Sequence, residues 1–430
     1  MVSTALIKIW DTLVGGIAWD QNTGIGSFEY EPAFLEKGWN ISPLKMPIDQ
    51  SKGRIFSFPE LRDNQLFKGI PGMLADVLPD RYGKTLINVW LANNGRIPDS
   101  MNPVELLCYI GKRGMGALEF EPPIPNDSDN SERIELGQLI ELTNKILSGR
   151  TDFKTNLLEG EEKALHDILK IGTSAGGARA KAIIAYNAQT GEIRSGQTTV
   201  ADGFNHWLLK FDGISENHLG NTHSFGRVEM AYHYMAIDAG IEMTECKLLE
   251  ENGRAHFMTR RFDRTDDNQK LHVQTFCAIQ HIDFNEVNIF SYEQLFQTMR
   301  MLKLDYTQAE QVFRRMIFNV LSRNCDDHTK NFSFIMGKDG IWKISPAYDI
   351  CYTYDKTNPW VSHQALSING KRENFTRNDF KEFAAKMNIR KSESIINQVW
   401  DVVQNWSFYA KQTNVDATLA NEIKNNHIKV

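Results

Sequence analysis

Cysteine is scarce in this chain of 430 residues and is not arranged for cross-linking. The five thiols (Cys108, Cys246, Cys277, Cys325, Cys351) are scattered and odd in number, and no two have C-x-x-C spacing. This argues against a disulfide framework or a cysteine zinc site and reads as reduced thiols in a cytoplasmic protein. Long apolar runs are missing too. No stretch approaches the roughly 18–20 apolar residues that span a bilayer, so no membrane partner is expected. The first residues, MVSTALIKIWDTLVGGIAWD, carry Lys8 and Asp11 and lack the apolar core of a signal peptide. Neither charge sign dominates. With 48 basic and 54 acidic residues the net charge is −6, which offers nucleic acid no general basic field. No internal repeat, low-complexity tract or G-x-x-x-x-G-K-[ST] phosphate loop occurs. An ordinary composition, 41% hydrophobic and 24% charged, and this length are enough for two or three domains with a sizeable core.

The most informative stretch is Asn324–Asn331, NCDDHTKN, read with Asp349. Before it, Ala309, Val312, Phe313, Met316, Ile317, Val320 and Leu321 have the spacing of a helix with one buried face, predicted over 307–323. After it, NFSFIM and IWKIS flank Gly337-Lys338-Asp339-Gly340 and predict a hairpin. The order is therefore buried helix, D-x-x-x-x-N loop, hairpin, Asp. Protein kinases arrange a catalytic loop and metal site in this order. Phosphoryl transfer needs a carboxylate to take the hydroxyl proton, here Asp326. It also needs oxygen ligands for Mg²⁺, here Asn331 and Asp349. A solvated polar loop with an Asp cap is the plainer alternative.

Residues 1–70 read as β-rich, with a strand over Ala5–Trp10 and a hairpin at Gly15-Gly16. Gly72–Asn93 reads as helix broken at Leu78-Pro79-Asp80, with Asp80 as a cap, and Pro103–Lys112 as a short helix. Pro122–Arg133 has linker composition, and helical spacing resumes over Ile134–Leu147. GTSAGGARAK (172–181) precedes a predicted hairpin, and such a Gly-rich loop can lie over phosphates; it also fits a mere flexible turn. Lys210 stands in the β-like run WLLKF, with Glu229 in the first turn of a helix predicted over Gly226–Gly240. A strand Lys paired with a helix Glu holds nucleotide phosphates in kinases; an edge-strand Lys reaching water is the alternative. In HFMTRRFDR (256–264), Arg261, Asp263 and Arg264 read as ion-pair partners in a hinge-like strand end.

Taken in order, these segments resemble the HipA-type serine/threonine kinases, the toxins of HipBA toxin–antitoxin modules. Ser174 to Lys181 resembles the family's S-x-x-G-A-x-x-K phosphate loop, and Arg261-Phe262-Asp263-Arg264 its R-F-D-R segment. Asp326 to Asn331 resembles D-G-H-x-K-N, and Tyr348-Asp349-Ile350 resembles Y-D-[IL]. The resemblance implies an α+β, bilobal kinase-like fold. It has an extra N-terminal subdomain (1–121), a kinase N-lobe (134–265) and an all-α C-terminal lobe (266–430). It implies Asp326 as base and Asn331 and Asp349 as Mg²⁺ ligands. ATP would be held by Ala175, Gly176, Gly177, Ala178, Lys181 and Lys210, by Arg260, Arg261 and Phe262 at the adenine, and by His328 and Lys330. Glu229 would pair with a lysine, and Ser174 would be the autophosphorylated serine. The implied partners are a HipB-like helix-turn-helix antitoxin, DNA only through that antitoxin, and an aminoacyl-tRNA synthetase as substrate. Asp327 departs from the usual Gly and would add a charge beside the base; Arg260 stands where some members have Glu. A small-molecule phosphotransferase and a nucleotide-binding pseudokinase are the alternative functions.

Overall fold

In a computed structural model of the chain, the structure describes residues 2–123, 134, 136–148, 168–169, 171–172, 179–196, 200–214, 224–286 and 288–430. Its strands are β1 (Thr4–Ile9), β2 (Thr12–Asp20), β3 (Ile25–Tyr30), β4 (Ile55–Phe56), β5 (Leu118–Glu121), β6 (Lys181–Tyr186) and β7 (Ile193–Ser195). They continue with β8 (Asn205–Lys210), β9 (Cys246–Glu251), β10 (Arg254–Arg260), β11 (His272–Thr275), β12 (Ser333–Met336) and β13 (Trp342–Ile344). The chain divides into two compact units. The first is Met1–His223, Met258–Val273 and Met336–Gly340; the second is Ser224–Phe257, Gln274–Ile335 and Ile341–Val430.

In the first unit, alternation in TALIKI buries Ala5, Ile7 and Ile9 on one face of β1. This strand is flanked by β2 and β5 in an antiparallel sheet of order β4-β3-β2-β1-β5. Helix Pro103–Ile110, started by the Asn102 cap, packs on β1, β2 and β5. The first hairpin turns at Trp10-Asp11, both at positive φ (48° and 62°), and not at Gly15-Gly16 as the sequence predicts. Those glycines lie inside β2. A Cβ on Gly15 would meet the Glu29 carbonyl oxygen at 2.1 Å, so the residue serves close strand approach. Further on, β6 pairs with β7 and β8, placing Lys181 opposite Lys210. The end of β10 joins this sheet, where the Arg261 amide donates to the His206 carbonyl at 3.0 Å.

The second unit is built mainly of helices. Helix Tyr306–Leu321 has the predicted buried stripe and packs on helices Ser392–Gln404 and Tyr292–Met301. Helix Phe225–Asp238 packs on helices Ser392–Gln404 and Trp406–Gln412 and on β9. The predicted hairpin is present as β12 and β13. It belongs to a sheet of order β11-β12-β13, so the segment 266–430 is not all-α. The strand β11 begins where His272 and Gln274 alternate into the interior, a run too short and polar to stand out in the sequence.

Candidate active site

Helix Tyr306–Leu321 begins on the Asp305 cap, whose carboxylate accepts from the Gln308 amide at 3.1 Å, and stops before Arg323, at φ 59°. The loop beyond is fixed from beneath by polar side chains. Asn324 is buried and donates through Nδ2 to Asn319 Oδ1 at 3.0 Å. The Thr353 hydroxyl donates to Asn324 Oδ1 at 3.2 Å and accepts from the Asp326 amide at 3.0 Å. Asn331 Nδ2 donates to the Asp326 carbonyl at 2.6 Å. Both backbone polar groups of Asp326 are thus held, while its carboxylate keeps 45% of its surface exposed. That is the presentation a proton acceptor for an incoming hydroxyl requires. His328 Nδ1 accepts from the Lys330 amide at 3.3 Å, so the neutral ring carries its proton on Nε2, 3.7 Å from Asp326 Oδ1.

With Nδ2 committed, Asn331 has its amide oxygen, Oδ1, as the atom to offer a cation. Asp349 sits at φ 56°, a left-handed conformation uncommon outside glycine. Its neighbour Tyr348 donates to the Lys330 carbonyl at 2.7 Å and bonds the Ser333 hydroxyl, and the preceding Ala347 amide donates to the Glu242 carbonyl at 2.8 Å. The residue before Asp349 is therefore tied to the loop carrying Asn331 through its phenol. One asparagine oxygen and one carboxylate fit a hard cation such as Mg²⁺, which takes few protein ligands and keeps waters. Asp327 is not a charge displayed beside the base. It is 1% exposed, and burial pushes its carboxyl up to about 6.

In the first unit, Lys210 ends β8, and Lys181 is buried with Nζ 4.0 Å from Asp80 Oδ2. Asp80 also caps helix Arg81–Asn93 by accepting from the Gly83 amide at 2.8 Å. Asp263, buried, accepts from Arg261 Nη2 at 2.6 Å, Arg264 Nη1 at 2.7 Å and the Gly116 amide at 2.7 Å. The guanidiniums of Arg261 and Arg264 hold its carboxyl well below the usual carboxylate range despite burial. Arg261 and Arg264 are thus engaged in an internal ion cluster. Arg260 bonds Asn205 Oδ1 at 2.9 Å and Asp266 Oδ1 at 2.6 Å. Glu229 is buried in the second unit. It is the fifth residue of its helix, so it lies beyond the first turn. Ser174, Ala175, Gly176, Gly177 and Ala178 lie outside the described residues. Thr353 and the Asp80–Lys181 pair escaped the sequence reading, because their partners lie 27 and 101 residues away and no local pattern marks them.

Two family models match the chain: the HipA N-terminal domain over residues 5–121 and the HipA-like C-terminal domain over 173–406. The chain belongs to the HipA family. A Haemophilus influenzae protein named "Putative kinase" is 24% identical over 171 residues, 34% of this chain. That match spans only half the length of the relative. The Sinorhizobium fredii "Putative kinase Y4mE" is 24% identical over 366 residues, covering 80% of this chain and 76% of its own. The fold matches HipA of Shewanella oneidensis, solved with HipB and operator DNA, at TM-score 0.62 and 16% identity over 99% of this chain and 100% of that one. The mixed architecture of helices and several sheets is thus that of the HipA fold. No helix of the described residues is long and apolar enough to cross a membrane.

Proposed function

We propose that this HipA-family chain is an ATP- and Mg²⁺-dependent serine/threonine protein kinase of the toxin type, with a bilobal kinase-like arrangement. The observation that carries the reading is the Asp326 loop: a half-exposed carboxylate on a backbone clamped at both its amide and its carbonyl. Asp326 accepts the proton of a serine or threonine hydroxyl. The hydroxyl oxygen forms a bond to the γ-phosphorus, the bond to the β–γ bridging oxygen breaks, and ADP leaves. Asn331 Oδ1 and Asp349 would hold Mg²⁺, which when bound neutralises phosphate charge. Lys181 on β6 and Lys210 on β8, opposite each other, supply cationic charge for the phosphates, and the segment 174–178 would offer them backbone N–H groups. The backbone of Arg260–Phe262 reads the adenine edge, and His328 and Lys330 flank the γ-phosphate. Glu229 serves as an ion-pairing carboxylate. Ser174 is the autophosphorylation site. The partners are a HipB-like antitoxin, as in the Shewanella complex, DNA through that antitoxin, and an aminoacyl-tRNA synthetase as acceptor.

The test is intact mass and phosphosite mapping of the full chain after incubation with ATP and Mg²⁺, beside Asp326→Asn. The wild type should acquire phosphate. The variant should transfer it about 10²–10⁴-fold more slowly with nearly unchanged ATP affinity. Equal transfer by both chains would remove Asp326 from the role of base. ATP binding without any transfer in the wild type would favour a nucleotide-binding regulator.

A further inference from the structure

We infer that the segment Asn426–Ile428 caps the end of helix Tyr306–Leu321 and fixes the turn that presents Asp326, and that Arg323 is the positioning residue that carries this cap to the base. The second part rests on the kinase reading above; the first stands on geometry alone. The last carbonyls of a helix have no partner within it. Here the closing carbonyls find theirs far along the chain. The Ile428 amide donates to the Leu321 carbonyl at 3.0 Å. The Tyr232 hydroxyl donates to the Ser322 carbonyl and lies 3.2 Å from His427 Nε2. Arg323 Nε donates to the Asn426 carbonyl at 2.9 Å. Residues 428, 427 and 426 thus answer residues 321, 322 and 323 in turn. Asn426 adds a bond onward, donating through Nδ2 to the Tyr352 hydroxyl at 2.8 Å.

The cap reaches the loop through Arg323. This residue turns the chain out of the helix at φ 59°, a left-handed conformation that a residue with a Cβ holds only where its surroundings fix it. Its Nε is held by Asn426, and its guanidinium lies 4.2 Å from the centre of the Tyr354 ring. Its carbonyl accepts from the Thr353 amide at 3.2 Å. The Thr353 hydroxyl in turn accepts from the Asp326 amide at 3.0 Å. Three hydrogen bonds therefore lead from Asn426 through Arg323 and Thr353 to the backbone of the base. Neither Asn426 nor Arg323 is among the nucleotide or metal residues assigned above, so loosening the cap should disturb the base and spare ATP.

The experiment uses the full chain as wild type, Arg323→Met, Arg323→Gln and Tyr232→Phe. Gln places an amide nitrogen where Arg places Nε and can keep the bond to the Asn426 carbonyl; Met has the same reach and no donor. Both lose the contact with Tyr354 and both carry a Cβ, so their difference isolates the bond. Hydrogen exchange is read on peptides covering residues 321–331 and 421–430. Both peptides should exchange about tenfold faster in Arg323→Met and within about twofold of wild type in Arg323→Gln. Phosphate transfer at saturating ATP, to dephosphorylated casein or to the chain itself, should slow about tenfold in Arg323→Met with ATP affinity unchanged, and Arg323→Gln should recover most of that loss. Should Arg323→Met not fold, Tyr232→Phe takes its place. It strips the Ser322 carbonyl of its donor and should show the same two changes to a smaller degree. Equal exchange in all four chains overturns the cap whatever the activity. Accelerated exchange with unchanged transfer overturns Arg323 as a positioning residue. Equal losses in Arg323→Met and Arg323→Gln overturn the bond to Asn426 as its means. No transfer to casein or to the chain itself by the wild type overturns the kinase reading, and the catalytic part with it, while exchange judges the cap alone.

Discussion

Asp326 and Asp327 are the same residue type in adjacent positions with opposite surroundings. The first keeps a half-exposed carboxylate, and the second is buried, bonded to the Tyr292 hydroxyl and the Ala365 amide, with the Arg372 guanidinium interacting with its charge. Burial raises the Asp327 carboxyl from 3.8 to about 6, more than its hydrogen bonds lower it. Between these two values the folded chain holds a proton that the unfolded chain has released. Stability from this group is therefore full below pH 4 and is lost as the pH rises through 6, by about 3 kcal/mol in all. Asp327→Asn cannot titrate. Urea unfolding at pH 4, 5, 6 and 7 should show the variant gaining on the wild type by about this amount between pH 4 and 6. The changed bond to Tyr292 displaces the whole curve without altering that slope. Parallel curves would mean that Asp327 is ionised throughout the range.

At the scale of elements, what the sequence makes legible is what short-range periodicity encodes. The stripe from Ala309 to Leu321 can be satisfied only by a helix with one face buried, and the β12–β13 hairpin is announced by its Gly337 to Gly340 turn. The Asp326 loop is readable because it is the polar remainder between those two elements. The Gly15-Gly16 pair misleads because glycine marks both turns and close strand approach, and only the position of β3 decides between them. Hydrogen bonds between distant residues, such as Thr353 to Asp326, leave no trace in spacing. The end of β10 tests this contrast. Arg261-Phe262-Asp263-Arg264 is visible as a charged cluster, but its packing against Gly114 and Gly116 is not. One buried carboxylate there compensates two buried guanidiniums, and burial beside Arg261 has already pushed Arg264 down to about 10. Asp263→Ala leaves both cations unpaired. It should cost about 3–5 kcal/mol in urea unfolding, whereas exposed Asp63→Ala, which breaks a solvent-screened surface pair with Arg62, should leave the unfolding midpoint nearly unchanged. Equal costs for the two would show that water reaches the cluster.

At the scale of the whole molecule, the buried imidazoles among the described residues weaken the fold in acid. His206 and His272 in the first unit and His427 in the second are all pulled down to about 4, chiefly by burial. Between pH 6.5 and 4 the unfolded chain binds protons at these rings and the folded chain does not. Their stability is present above 6.5 and is lost as the pH falls toward 4, at about 1.4 kcal/mol per pH unit for each ring. Asp327 works in the opposite direction over nearly the same interval, so it offsets one of these three rings and the four groups together lose about 3 kcal/mol per pH unit, to which His233, also pulled down by burial, adds. His272 isolates one ring, because its Nε2 donates to the Ile41 carbonyl at 2.9 Å and a glutamine amide can keep that bond. His272→Gln should therefore unfold in urea with a pH dependence shallower by about 1.4 kcal/mol per unit between pH 6 and 4.5, while differing little at pH 7.5. A slope equal to that of the wild type would require His272 to be protonated in the fold, with a counter-charge beside a ring that the structure buries completely.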